Sequence, residues 1–212
     1  MELQSDHLRG LLGDADARTV EMDVRGDLVT AVYRPVEAQR ALRADGRTLG
    51  PRLGAYQVLQ ALPLGEWVPV EGLTDREQRI LPAIPTWTRK RRNGRLFRLA
   101  DLPVRLDLLV TQGTEWLDAL DRACVLGLAA PRMAVCFGPV DDGERAVWEA
   151  DYRGVGLATY REGEMRILVH PQRTVPESAA SLHWRLAEQV FSASQGALSE
   201  RGSPKTVVPV EV

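Results

Sequence analysis

The sequence predicts an α/β (or α+β) fold, with a mixed sheet flanked by helices in the C-terminal half and a smaller α/β segment carrying a basic β-hairpin ahead of it. Two periodicities and one turn signal point there. Met133–Phe137 is a short continuous apolar run, the pattern of a strand buried on both faces. Positions 116, 117, 120, 123 and 124 put apolar side chains on one helical stripe. Asn93-Gly94 is the dipeptide that a two-residue hairpin turn demands, because both central residues need positive φ. A content of 44% hydrophobic and 26% charged residues over 212 positions is ordinary for a folded chain with a substantial core. Two segments are expected, 1–85 and 86–212, which can also form one continuous domain.

Taken in order, residues 3–12 read as a short helix. Val20, Met22 and Val24 alternate with Glu21, Asp23 and Arg25 as a half-buried strand, and Gly26 turns the chain back into Leu28–Tyr33. A helix is expected over Val36–Ala44, stopping at Asp45-Gly46, with a glycine-rich loop to Gly54. Leu53–Leu62 is apolar at 55, 58, 59 and 62, one helix face. Thr74-x-x-Glu77 has the form of a capping box and opens a short helix that Pro82 and Pro85 curtail. Helix, connection, helix and basic hairpin follow the order of a winged helix-turn-helix, although Asp75–Ile84 is short and proline-broken for a recognition helix.

A central strand is expected around Leu106–Val110, then a helix capped by Thr114 and closed by Gly127. Asp141-Asp142 are candidate caps for a helix through Tyr152. Val155–Tyr160 and Met165–Val169 pair as a hairpin around Gly163. Thr174-x-x-Glu177 opens an amphipathic helix with Leu182, Leu186, Val190 and Phe191 on its face, and Lys205–Val212 is an edge-strand candidate.

The chain is formally −2, yet Thr86–Leu99 carries six basic residues and no acid. Arg92 should face Arg95 across the turn and Arg91 should face Leu96. Alternation then puts Lys90, Arg92, Arg95 and Phe97 on one face and Trp87, Arg89, Arg91, Leu96 and Arg98 on the other. Cations on both faces near the tip cannot be buried unpaired, so the tip stands in water or against an anion. Arg89, Lys90, Arg91, Arg92, Arg95 and Arg98 are thus candidate phosphate contacts, with Trp87 and Phe97 as candidate stacking residues. Only Lys90 and Lys205 are lysines, an arginine bias that suggests a bacterial, GC-rich source.

Other chemistry is sparse. His7, His170 and His183 have no metal-ligand spacing to one another or to Cys124 and Cys136. The two cysteines sit in apolar runs and read as small buried hydrophobes in a reducing compartment. Phosphate-loop, dinucleotide-binding and serine-elbow motifs are missing from the sequence, which points to no cofactor. No apolar run reaches bilayer length and no secretory core opens the chain, so a cytoplasmic location without a membrane partner is expected. Asp101, Asp107 and Glu115, just after the basic hairpin, are the remaining candidate acids.

From residue 101 onward the order is more specific. A strand with an Asp, the helix TEWLDALDRACVLGLAAP, the strand RMAVCF, a second helix, then YRGVGLATY and MRILVHP resemble the core of the restriction-endonuclease-like, or PD-(D/E)XK, superfamily. The resemblance spans about Asn93–Val175, with Trp116–Ala130 and Gly154–Leu157 as its best-matched parts. It implies a nuclease-like fold in which an Asp, Asp101 or Asp107, and a Glu-x-Lys on the next strand would hold Mg²⁺ and activate water. Glu-x-Lys is missing from the sequence, and Val110-Thr111-Gln112 occupies the nearest strand slot. The expected function is therefore nucleic-acid binding, DNA foremost, by a catalytically degenerate nuclease-like protein, fitting a subunit of a defence, repair or regulatory assembly. Two alternatives stand beside it: a scaffold whose basic hairpin docks an acidic protein surface, and a metal-dependent nuclease with a rearranged site at Asp101, Asp107 and Glu115.

Overall fold

The computed structural model describes residues 7–8 and 16–202, with side chains as far as residue 197. Of the N-terminal helix expected over 3–12, His7 and Leu8 are described and are helical; the remainder, and the strand expected at 205–212, lie outside the described residues.

The fold is mixed α/β. A six-stranded sheet runs in the order β1-β2-β6-β7-β8-β9, and a three-stranded sheet in the order β3-β5-β4. β1 (Arg18–Val24) and β2 (Asp27–Pro35) form a hairpin through Arg25 and Gly26, both at positive φ. β2 pairs antiparallel with β6 (Val104–Gly113). The large sheet therefore draws strands from both sides of residue 85. The small sheet does the same, since β3 (Trp67–Pro69) pairs with β5 (Arg95–Arg98), which pairs with β4 (Arg89–Arg92).

Beyond β6 the sheet turns parallel. β7 (Arg132–Cys136) and β8 (Gly156–Arg161) lie parallel to it, and β9 (Glu164–Val169) closes the edge antiparallel to β8. Parallel neighbours need crossovers, and two helices supply them. We number the helices from the first fully described one, α1 (Glu37–Leu42), followed by α2 (Leu53–Ala61) and α3 (Asp75–Ile80). α4 (Trp116–Val125) then links β6 to β7, and α5 (Gly143–Tyr152) links β7 to β8. Both pack closely because their inner faces carry alanine: Ala119, Ala123, Ala146 and Ala150 meet Ala134, Val155 and Leu157.

The long α6 (Ala180–Gly202) covers β1, β2 and β6 with Leu186, Ala187, Val190 and Phe191. The other side of the sheet gathers Val32, Leu108, Val110, Met133, Val135 and Tyr160 around Leu8 and Ala17. Within β6 the register skips Asp107 between the pairs Val32–Leu108 and Tyr33–Leu106. That bulge lets Leu106 point to the α6 side while Leu108 points to the other.

A second core lies under the small sheet. Leu96 from β5 joins Tyr56, Val58, Leu59 and Leu62 from α2 and its end, together with Ile84 and Trp184. Trp184 belongs to α6, so this helix seals both cores with successive turns.

Several sequence-read caps differ. Thr74 and Glu77 do form a reciprocal capping box. Thr114 does not cap α4, whose N-cap is Glu115 without a side-chain bond. Asp142 precedes α5 in a left-handed conformation (φ 56°), which turns its side chain away from capping. Thr174 opens no helix; a 3-10 turn at Glu177–Ala179 leads into α6. In each case backbone direction, set by packing, decides whether a polar side chain can reach the helix end. α3 is only six residues long, begins with Asp75 and Glu77, and runs into a proline-bearing 3-10 turn. A winged-helix recognition element needs a longer, polar, non-acidic face than this.

Candidate nucleic-acid interface

The Asn93-Gly94 turn forms as its residue types demand, at φ 49° and 69°. Arg92 faces Arg95, Arg91 faces Leu96, Lys90 faces Phe97 and Arg89 faces Arg98. Leu96 is 1% exposed and pins the hairpin to the second core, so the small sheet has one buried face and one open face. Pairing with β3 adds Trp67 opposite Phe97 and Pro69 opposite Arg95. The open face thus carries two rows across three strands: Trp67, Phe97 and Lys90, then Pro69, Arg95 and Arg92.

The six basic candidates divide into two groups. Lys90, Arg91, Arg92 and Arg95 are exposed, and no ion pair among the described residues engages them. Arg95 Nη2 donates to the Trp67 carbonyl at 3.1 Å, which holds the Arg95 side chain along the β3 strand. Arg89 and Arg98 turn inward. Arg89 donates to the carbonyls of Ile84 (2.6 Å) and Leu81 (2.8 Å). Arg98 donates to the carbonyls of Leu59 and Leu62, both at 3.0 Å, to Ala100 O at 2.8 Å, and to Asp101 Oδ1 at 2.7 Å. It also lies over the Trp184 ring, 4.8 Å from its centroid. Leu59 and Leu62 carry carbonyls at the end of α2, where a guanidinium is a natural C-terminal partner. Burial lowers the pKa of both Arg89 and Arg98, with Arg91 adding to the effect at Arg89 and Asp101 opposing it at Arg98. These two arginines serve the fold, which removes them from the exposed phosphate-contact set.

The aromatic candidates divide similarly. Trp87 is half-buried against the second core and lies beneath Arg43, whose guanidinium carbon is 5.0 Å from its ring centre. Phe97 does lie on the open side, with Lys90 Nζ 6.0 Å from its centroid. Trp67, which sequence reasoning missed, is its neighbour at 5.2 Å between ring centroids and is 36% exposed. Its only sequence signal is the strand-like WVPV run. Nothing local says that this run lies beside Phe97, because the pairing joins β3 to β5 across an intervening helix.

The acidic candidates do not converge. Asp101 precedes β6 and pairs with Arg98, whereas Glu115 follows β6 and is exposed. The strand between them spans roughly 30 Å at about 3.3 Å per residue, too far to share an ion. Asp107 sits at the bulge and is clasped by Arg34, whose Nε donates to Oδ2 at 2.9 Å. Among the described residues no group of three or more His, Cys, Asp or Glu side chains is placed to hold a metal ion. In the slot where the nuclease resemblance would require Glu-x-Lys, Val110 and Thr111 are buried, and the Thr111 hydroxyl donates to Ala119 O at 2.8 Å. Among the described residues Asp101, Asp107 and Glu115 are therefore not gathered into a set that could share Mg²⁺.

An open cavity of about 850 Å³ lies elsewhere, between Val140, the start of α5 and the β8–β9 hairpin. Glu144, Glu162 and Glu164 share it with Arg161 and Arg166, so it presents both signs of charge and favours neither. No described helix is long and apolar enough to cross a membrane. No model of a known protein family, no curated protein and no solved structure matches the chain.

Proposed function

We propose that this protein binds nucleic acid, DNA foremost, through the open face and tip of the β4–β5 hairpin, as a nuclease-like protein without a working catalytic set. The observation that carries the reading is the group of four exposed cations, Lys90, Arg91, Arg92 and Arg95, beside an exposed tryptophan in a chain of net charge −2. Cations gathered on one short hairpin, none of them in an ion pair among the described residues, favour a polyanion over self-association with the acidic remainder. Support for the nuclease-like part is the order of elements β6-α4-β7-α5-β8-β9 over the stretch of the resemblance, joined to an Asp107 held by Arg34 and a slot of buried Val110 and Thr111.

Four phosphate contacts on duplex DNA correspond to a slope of log K against log salt of about −3.6. The test is fluorescence anisotropy with labelled duplex DNA over a salt series, comparing wild type with a variant in which Lys90, Arg91, Arg92 and Arg95 are all changed to Gln. The expected outcome is a slope of about −3 to −4 in the wild type and loss of binding in an equally folded variant. A wild type that binds no nucleic acid at low salt overturns the reading, and capture of an acidic protein through the same four residues would replace it.

A further inference from the structure

We infer that the preferred ligand of the hairpin face is single-stranded nucleic acid, with an unpaired base stacking on Trp67. The inference deepens the nucleic-acid reading above and rests on it. Its basis is the composition of the open face, where the cations are interleaved with an aromatic pair.

Trp67 lies at the outer strand of the three, 36% exposed, with Phe97 against one side at 5.2 Å and an interplanar angle of 50°. Lys90 stands beyond Phe97, 6.0 Å from that ring, so Phe97 is flanked on both sides and acts as a buttress. Trp67 is the more exposed of the two rings. Arg95 bonds to its carbonyl, and Arg95 and Arg92 stand opposite each other about 7 Å further along the strands. A base on Trp67 would therefore have cations within reach of the phosphates on its tip side.

Duplex DNA cannot use this platform. Its bases cover one another's π-faces and show only their edges in the grooves, so a ring on a sheet surface meets phosphate and sugar. An unpaired base offers its face, and stacking on an aromatic side chain tolerates any base. The four cations serve both ligands, whereas Trp67 adds affinity only for the unpaired one. Solvent exposure of an indole on a strand is otherwise unfavourable, since the ring gains most from burial.

The test compares a fluorescein-labelled oligothymidylate with a mixed-sequence duplex of equal length, by anisotropy at low salt, using the full chain. Wild type should bind the single strand at least about fivefold more tightly than the duplex, the lower bound for one base stack. Trp67→Thr, which keeps strand propensity, should weaken single-strand binding about 5- to 150-fold and leave duplex binding within about twofold. Trp67→Phe should retain most of the single-strand affinity. Equal wild-type affinity for both ligands, or a single-strand preference that survives Trp67→Thr, overturns the inference while leaving the nucleic-acid reading in place. Binding of neither ligand overturns both.

Discussion

Changing Glu188 to Leu should destabilise the protein by about 3–5 kcal/mol, the cost of stranding a buried charge. The partner is Arg43, whose side chain is fully buried, while that of Glu188 is 3% exposed; Nη2 and Oε1 are 2.7 Å apart. Glu188 also accepts from Trp184 Nε1 at 3.3 Å and from the Leu49 backbone N–H at 3.2 Å. Arg43 donates further to Gln39 Oε1 at 2.7 Å and to Asp101 O at 2.8 Å. One ion pair thus ties α1, the loop before α2, the end of the hairpin and α6 together. Leucine would leave the guanidinium with neutral oxygen acceptors only, inside a core that water does not reach. Against a total stability of about 5–15 kcal/mol, such a loss takes a third or more. Urea unfolding followed by tryptophan fluorescence measures it, since Trp184 adjoins the pair. The double variant Arg43→Met/Glu188→Leu removes both charges and should recover most of the stability. A loss below about 1 kcal/mol in Glu188→Leu would refute the assignment of this pair as a buried linchpin.

Three further outcomes follow from the same packing. Arg98→Gln should cost about 2–3 kcal/mol in urea unfolding because it uncaps Leu59 and Leu62 and loses Asp101, whereas Lys90→Gln should stay within about 0.5 kcal/mol. Tyr56 donates to Gly50 O at 2.6 Å, and burial first, then Glu188, raise its phenol above the ordinary 10.0. The neutral phenol's contribution is therefore complete below pH 10 and lost as the pH rises further, so Tyr56→Phe should flatten the alkaline limb of a stability–pH curve. Burial likewise pushes the Cys136 thiol up, so iodoacetamide should modify the partly exposed Cys124 well before Cys136, and unfolding in urea should abolish the difference.

Much of the local structure was legible in the sequence. Asn93-Gly94, the capping box at Thr74 and Glu77, the alternation of β1 and the apolar run of β7 each depend on a few consecutive residues. Their backbone preferences and periodicities act before any tertiary contact forms. From these the mixed α/β class and the exposed basic tip follow. The partner strands of the large sheet did not. Arg34 and Asp107 are 73 positions apart, and no local signal says that β2 lies beside β6 or that a bulge falls at Asp107. The same holds for β3 beside β5, which brings Trp67 to the open face and was needed to distinguish it from the half-buried Trp87.

Tertiary structure also decided the fate of each basic side chain. Six cations in one hairpin look equivalent in sequence, and alternation separates them only into two faces. Arg89 and Arg98 were withdrawn because the carbonyls at Leu81, Ile84, Leu59 and Leu62 converge on them from helix and 3-10 ends. Lys90, Arg91, Arg92 and Arg95 remained outside because no such acceptors come within their reach among the described residues, save the Trp67 carbonyl that steadies Arg95. A charged side chain is drawn inward only where folding has already gathered enough oxygen to replace its water, and that gathering is a property of the packed chain.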